Sequence, residues 1–176
     1  EEDNMNIENR LNGVAKSLGN LENYRDVDGF VTDLEYLVGQ LTYFYNNLTP
    51  KQTGDPSTTF YKPKKLPRPH QVAYFNLTRG FPKELYGGHW CYVLKYFKSK
   101  FIIIPTTSVK RDSLEADPDF QIDIQVKDFK NGLTTRMQIS DMRTVDAQRL
   151  YFNKGFYDVI TEKKYISEEM NKILSL

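Results

Sequence analysis

His89 follows a glycine pair, Gly87-Gly88, and three hydroxyl residues, Thr106-Thr107-Ser108, follow Pro105. A histidine near solvent titrates at about pH 6.5 and can take and give protons at neutral pH. Hydroxyls set beside such a ring both donate and accept hydrogen bonds. The element that would bring them together is a β-hairpin. Two apolar, β-branched and aromatic runs, Trp90–Phe97 and Phe101–Ile104, flank the polar turn Lys98-Ser99-Lys100. His89 opens the first strand and the hydroxyls close the second, so a hairpin sets ring and hydroxyls at one sheet edge, facing one small space. Plainer roles stand beside this one: His89 as a surface histidine packed on Trp90, and Thr107 and Ser108 as strand-end caps.

Other chemistry is poorly supplied. Two histidines, at 70 and 89, and the single Cys91 fit no zinc spacing, and no Walker-type glycine loop is present. The carboxylates form no paired motif. His89 and Cys91 lie at i and i+2 on one strand, about 7 Å apart, too far for a nucleophilic pair. Cys91 therefore reads as buried filler. The loop Thr78–Gly88 carries Arg79, Lys83, Glu84 and Tyr86 among glycines. Such a loop can bind phosphate and stack on a base, or be a solvated connection.

The 176 residues suit one domain, or a small domain with an appendage, and 14% aromatics supply a core. No apolar run approaches the roughly 18 residues needed to span a membrane. The acidic start Glu1-Glu2-Asp3-Asn4 does not read as a signal peptide. One cysteine forms no internal disulfide, which suits a reducing cytoplasm. Charge is divided along the chain: residues 1–50 hold nine acids and three bases, residues 51–176 fourteen acids and 21 bases. The second part is basic enough to seek a polyanion.

Residues 1–48 read as an acidic helical hairpin. Leu11, Val14, Leu18 and Leu21 make one stripe, and Val31, Leu34, Val38, Leu41, Tyr45 and Leu48 make an a/d seam. Asp26-Val27-Asp28-Gly29 offers a turn and an N-cap between them. Residues 49–67 read as a linker, polar and then basic and proline-spaced (Lys62, Lys64, Lys65, Arg68 nearby), able to touch phosphates or merely to stay soluble. From 68 to 176 the pattern is β: Gln71–Leu77, the hairpin, Asp119–Val126 in strict alternation, and Thr134–Ile139 after the Lys130-Asn131-Gly132 turn. Val145–Tyr151 reads as a helical turn, and Ser167 as the N-cap of a last helix with Met170, Ile173 and Leu174 on one face. The expectation is α+β, with five short strands in a small barrel or sandwich closed by a helix.

Read in order, these pieces resemble the PemK/MazF (Kid) toxins of bacterial type II toxin–antitoxin systems. Val72–Leu77 with Thr78-Arg79-Gly80 looks like the family's first strand and loop entrance. Gly88–Leu94 is similar to its Gly-x-Arg-Pro-x-Leu-Val-Val strand, Ile104–Ser108 to its Val-Pro-x-Thr-Ser, and Ser140–Asp146 to its Gln-x-Arg-Thr-Ile-Asp. The resemblance covers about residues 68–176 and leaves the helices unaccounted for. His89 stands where the family has a catalytic arginine, followed by Trp90 in place of proline, and Thr107 aligns with the assisting threonine. Gln138 and Ser140 stand where some members carry a further Arg and Asp.

The resemblance implies an SH3-like barrel, usually homodimeric, that cuts single-stranded RNA without metal or other cofactor by acid–base catalysis. On it, His89, Thr107 and Arg79 are catalytic candidates, and Lys83, Glu84, Tyr86, Trp90, Ser108 and Gln138 substrate-binding ones. Asp141 and Arg143 read as structural or part of a dimer surface. A cognate antitoxin protein and a cytoplasmic location are implied with it. Two other classes remain: a non-catalytic RNA-binding barrel, and a gyrase poison of the CcdB kind, whose C-terminal Trp-Gly-Ile this chain lacks.

Overall fold

The computed structural model describes residues 2–176, apart from the side chains of residues 2–5 and of Asn131. The chain divides into two compact units, residues 1–39 and 40–176. Helix α1 (Glu2–Gly19) fills much of the first. Helix α2 (Val27–Tyr43) begins as expected at Asp26, whose carboxylate accepts a hydrogen bond from Gly29 N–H at 3.1 Å. The apolar stripes are not buried: Leu11 is 59% and Leu34 39% exposed. Two helices and a capped break are thus present where the hairpin is expected, without stripes that cover one another.

The helical backbone runs on from α2 through a π-turn, Phe44–Leu48, into the short helix α3 (Thr49–Lys51). Pro50 sits in the first turn of α3, where its missing N–H is least needed. Residues 52–70 carry no helix or strand. Side-chain bonds organise this stretch: Thr53 and Thr59 hydroxyls meet at 2.7 Å, and Asp55 accepts from Ser57 N–H at 2.9 Å. Tyr61 then packs on the core.

Seven antiparallel strands follow: β1 (Gln71–Asn76), β2 (Gly88–Phe97), β3 (Lys100–Ser108), β4 (Gln121–Ile124), β5 (Thr135–Gln138), β6 (Arg143–Asp146) and β7 (Phe156–Asp158). Their order is β4-β5-β3-β2-β1-β7, with β6 also on β3. The expected hairpin is β2–β3, in register from Cys91↔Pro105 to Phe97↔Lys100, with an irregularity between Val93 and Lys95. On the edge away from β2, β3 serves two partners: Lys100–Ile103 pair with β6 and Thr106–Ser108 with β5. Pro105, with no N–H to give, stands at the changeover. The sheet is an open path and not a closed barrel. Just beyond its two ends, Val126 bridges Val159, and Lys127 N–H donates to the Asp158 carbonyl at 2.8 Å.

Five of these strands match the alternation in the sequence; β6 and β7 do not. Residues read as a helical turn start instead with Val145 in β6 and turn at Ala147–Arg149. Alternation in β1–β3 feeds both faces. Val72, Tyr92 and Ile104 enter one apolar cluster, and Ala73, Phe75, Cys91, Val93, Phe101 and Ile103 enter the other. Helix α4 (Lys163–Leu174) covers the first cluster with Ile166 and Met170. It starts four residues before Ser167, which lies exposed inside it rather than capping it, because burial of Ile166 requires the earlier turn.

Candidate active site

The site is built at the Gly88 end of the hairpin. His89 lies opposite Phe75 of β1, half-buried, with Nδ1 3.4 Å from the Thr106 carbonyl. Period-2 alternation puts His89 on the face of Cys91 and Val93, and Thr107 on the face of Ile103, both in one core cluster. Ring and hydroxyl therefore share a face on neighbouring strands. The three hydroxyls do not share it, contrary to the expectation. Thr106, one residue before, points to the other face, is buried, and donates to the Trp90 carbonyl at 2.8 Å. Ser108 accepts instead from Lys130 Nζ at 2.9 Å. A period of two cannot put adjacent residues on one side.

Thr107 is braced from β5 and β4. Gln138 Nε2 donates to Thr107 Oγ1 at 3.0 Å, and Gln138 Oε1 accepts from Gln121 Nε2 at 3.0 Å. With a lone pair of its oxygen so engaged, the Thr107 hydroxyl has its proton available to donate. Gln138 is buried, so it acts through Thr107 more than by meeting a ligand. Next along β5, Arg136 grips Asp123 with Nε–Oδ1 at 2.7 Å and Nη2–Oδ2 at 2.9 Å, and holds the Leu114 carbonyl at 2.9 Å. This is a fixed polar strip, not a mobile one.

The loop between β1 and β2 is closed at its neck. Leu77 N–H donates to the Gly87 carbonyl at 2.8 Å, and Gly87 N–H to the Thr78 carbonyl at 3.0 Å. Gly87 has φ +72°, the left-handed region that glycine adopts without strain, and a β-carbon at 88 would collide with the Tyr74 ring. Inside the loop the Arg79 guanidinium lies over the Tyr86 ring at 4.3 Å, and Lys83 is exposed. Glu84 turns inward, accepting from Phe81 N–H at 2.9 Å, so it shapes the loop. Asp141 pins the loop by accepting from Leu85 N–H at 2.8 Å, and Arg143 Nη2 meets Asp141 at 3.2 Å.

Trp90 stands apart from His89. It joins the other face, edge-on to Tyr74, Phe129 and Tyr157 at 5.3, 4.9 and 5.3 Å. Cys91 is fully buried, which pushes its thiol far above the usual range and leaves it inert. Two cations at this end escaped the sequence reading. Arg149 Nη1 donates to the Asn76 carbonyl at 3.2 Å and to Thr78 Oγ1 at 3.1 Å, bracing the loop entrance. Lys130, beside Ser108, has its pKa lowered by burial. Its only signal was the Lys130-Asn131-Gly132 turn.

No model of a known protein family matches this chain, and none of the curated proteins is similar to it. The chemistry rests on the residues. Among the described residues, no three His, Cys, Asp or Glu side chains are grouped to hold a metal ion. What the strand end offers is a proton carrier and a braced hydroxyl, with cations in the adjoining loop. That set suits proton transfer around an anionic centre.

Proposed function

We propose that this chain is a toxin-type, metal-independent endoribonuclease of the PemK/MazF (Kid) kind, acting on single-stranded RNA in the cytoplasm. The observation that carries the reading is the placement of His89 and Thr107 on one face of neighbouring strands, one register step beyond the Cys91↔Pro105 pair, with Gln138 bracing the hydroxyl. The antiparallel path from β4 to β7, with the Val126–Val159 bridge just beyond its two ends, supports the SH3-like reading of the sheet.

In this mechanism His89 takes the proton of an RNA 2′-hydroxyl, and the 2′-oxygen attacks the adjacent phosphorus. The bond to the 5′-oxygen breaks, a proton returns to that oxygen, and the other fragment ends in a 2′,3′-cyclic phosphate. Thr107 orients the phosphate by donating its proton. Arg79 or Lys83 of the β1–β2 loop offers the charge that the transition state gathers. The family reading brings a neutralising antitoxin and a homodimer with it, and we assign the dimer contact to the helical stripes of α1 and α2.

Incubation of the purified protein with single-stranded RNA in EDTA tests the reading. Fragments ending in cyclic phosphate are expected. Binding without cleavage would instead mark a silent RNA-binding domain.

A further inference from the structure

The β2–β3 hairpin has two ends, and only one carries His89 and Thr107. At the other, the turn joins Phe97 to Lys100, and Lys95, Lys98 and Lys100 all stand exposed. The segment before β1 reaches this tip. The Phe60 ring lies under two ammonium groups, Lys62 Nζ at 5.2 Å and Lys98 Nζ at 4.8 Å from its centroid. Phe97 is half-exposed, with Lys95 Nζ 5.9 Å from its ring. Among the described residues, none of these four lysines pairs with a carboxylate. The acid opposite Lys100 in the register is Asp146, whose carboxylate accepts from Gln148 N–H.

Two like charges over one ring repel each other, and an arriving anion relieves that repulsion. A cation–π contact at an exposed site is weak, whereas phosphate offers ammonium a charge-assisted hydrogen bond. Phosphate would draw Lys62 and Lys98 off Phe60 and uncover the ring for a base. Cations along a backbone with rings between them are how single strands are held without sequence preference. A membrane surface asks for exposed apolar insertion, and here an ammonium lies over each ring.

We propose that the hairpin tip and the segment 60–65 form a second binding surface for single-stranded RNA, which holds the substrate strand away from the cleavage point. The choice of RNA rests on the nuclease reading above. Phe97 lies eight residue steps along the strand from His89, about 26 Å at about 3.3 Å each, so one strand of several nucleotides spans both ends.

The test uses a fluorescent 2′-O-methyl RNA of a dozen nucleotides, which lacks the attacking hydroxyl, so binding is read whether or not the protein cleaves. In the full chain, Lys62→Glu with Lys98→Glu is expected to weaken binding about tenfold or more at low salt. The slope of log affinity against log salt should fall by about 1.4, two phosphate contacts at about 0.7 each. Lys163→Glu with Lys164→Glu, an equal charge change on exposed α4, should leave that slope unchanged. Unchanged affinity and slope in the first variant, or equal losses in both, overturn the proposal. So does binding to phosphatidylserine vesicles with none to the RNA. Loss of EDTA-resistant cleavage with this binding pattern intact would overturn the nuclease and leave the surface standing.

Discussion

At the scale of single residues, the nuclease reading stands or falls on His89. Replacing it with alanine removes the proton carrier but leaves Cys91, Val93 and the sheet hydrogen bonds in place, because its ring is half-buried at a strand end. His89→Ala should lower the rate of RNA cleavage on the order of 100-fold or more, the usual worth of a positioned acid or base. Cleavage at the wild-type rate by a variant with an unchanged thermal melt would remove His89 from the mechanism. His89 and Thr107 were readable in the sequence because one hairpin joins them, and its turn and alternation are local. Lys130, Arg149 and the Gln121–Gln138–Thr107 chain were not. Their partners lie 22, 71 and 17 to 31 positions away, and no period in the sequence spans such distances.

At the scale of elements, legibility followed composition and alternation, which also marked the four-residue β4 and β5. β2 and β3, at ten and nine residues, announce themselves by composition. β6 and β7, at four and three, exist because β3 and β1 present edges to them. The junction at His70 shows how much such an edge depends on one residue. His70 N–H donates to the Val93 carbonyl at 2.9 Å and its carbonyl accepts from Val159 at 3.3 Å, tying β2 and the β7 exit to the start of β1. Its Nδ1 lies 3.0 Å from the buried Tyr92 hydroxyl. Burial first, and the Lys163 charge second, lower its pKa, while Asp158 and the Thr161 and Val159 backbone oppose this. A lowered native pKa means that the unfolded chain takes up the proton first as pH falls. The His70 contribution is therefore fully present above about pH 6.5 and is lost as pH drops through the lower native value. The melting temperature should fall between pH 7 and pH 5, and more steeply in the wild type than in His70→Gln. Parallel slopes in the two proteins would show that the junction does not titrate.

At the scale of the whole molecule, the stripes of α1 and α2 have to be reconciled with water. From Val31 at 37% to Leu11 at 59%, these residues set a row of exposed apolar side chains along each helix. The seam of α2 puts Val31 and Val38 at one heptad position and Leu34 and Leu41 at the other, the choice that favours two strands. A second copy of the chain covering both stripes forms a stable dimer if it closes about 800 Å² per partner, the size of a standard interface. Charge gives the discriminating test. The first 50 residues hold nine acids against three bases, so two copies repel one another. Salt screens that repulsion while leaving apolar contact intact. Dimerisation through the helices should therefore strengthen as salt rises. Helices folded back over the basic part of their own chain should loosen under the same change, and with them any block on RNA cleavage. Light scattering of the full chain across a salt series should show dimer that grows with salt. Leu34→Glu with Leu41→Glu, two surface changes that add acid to the seam, should give monomer throughout. A monomer at every salt concentration whose cleavage rate rises with salt would reverse the assignment and make the helices a shield.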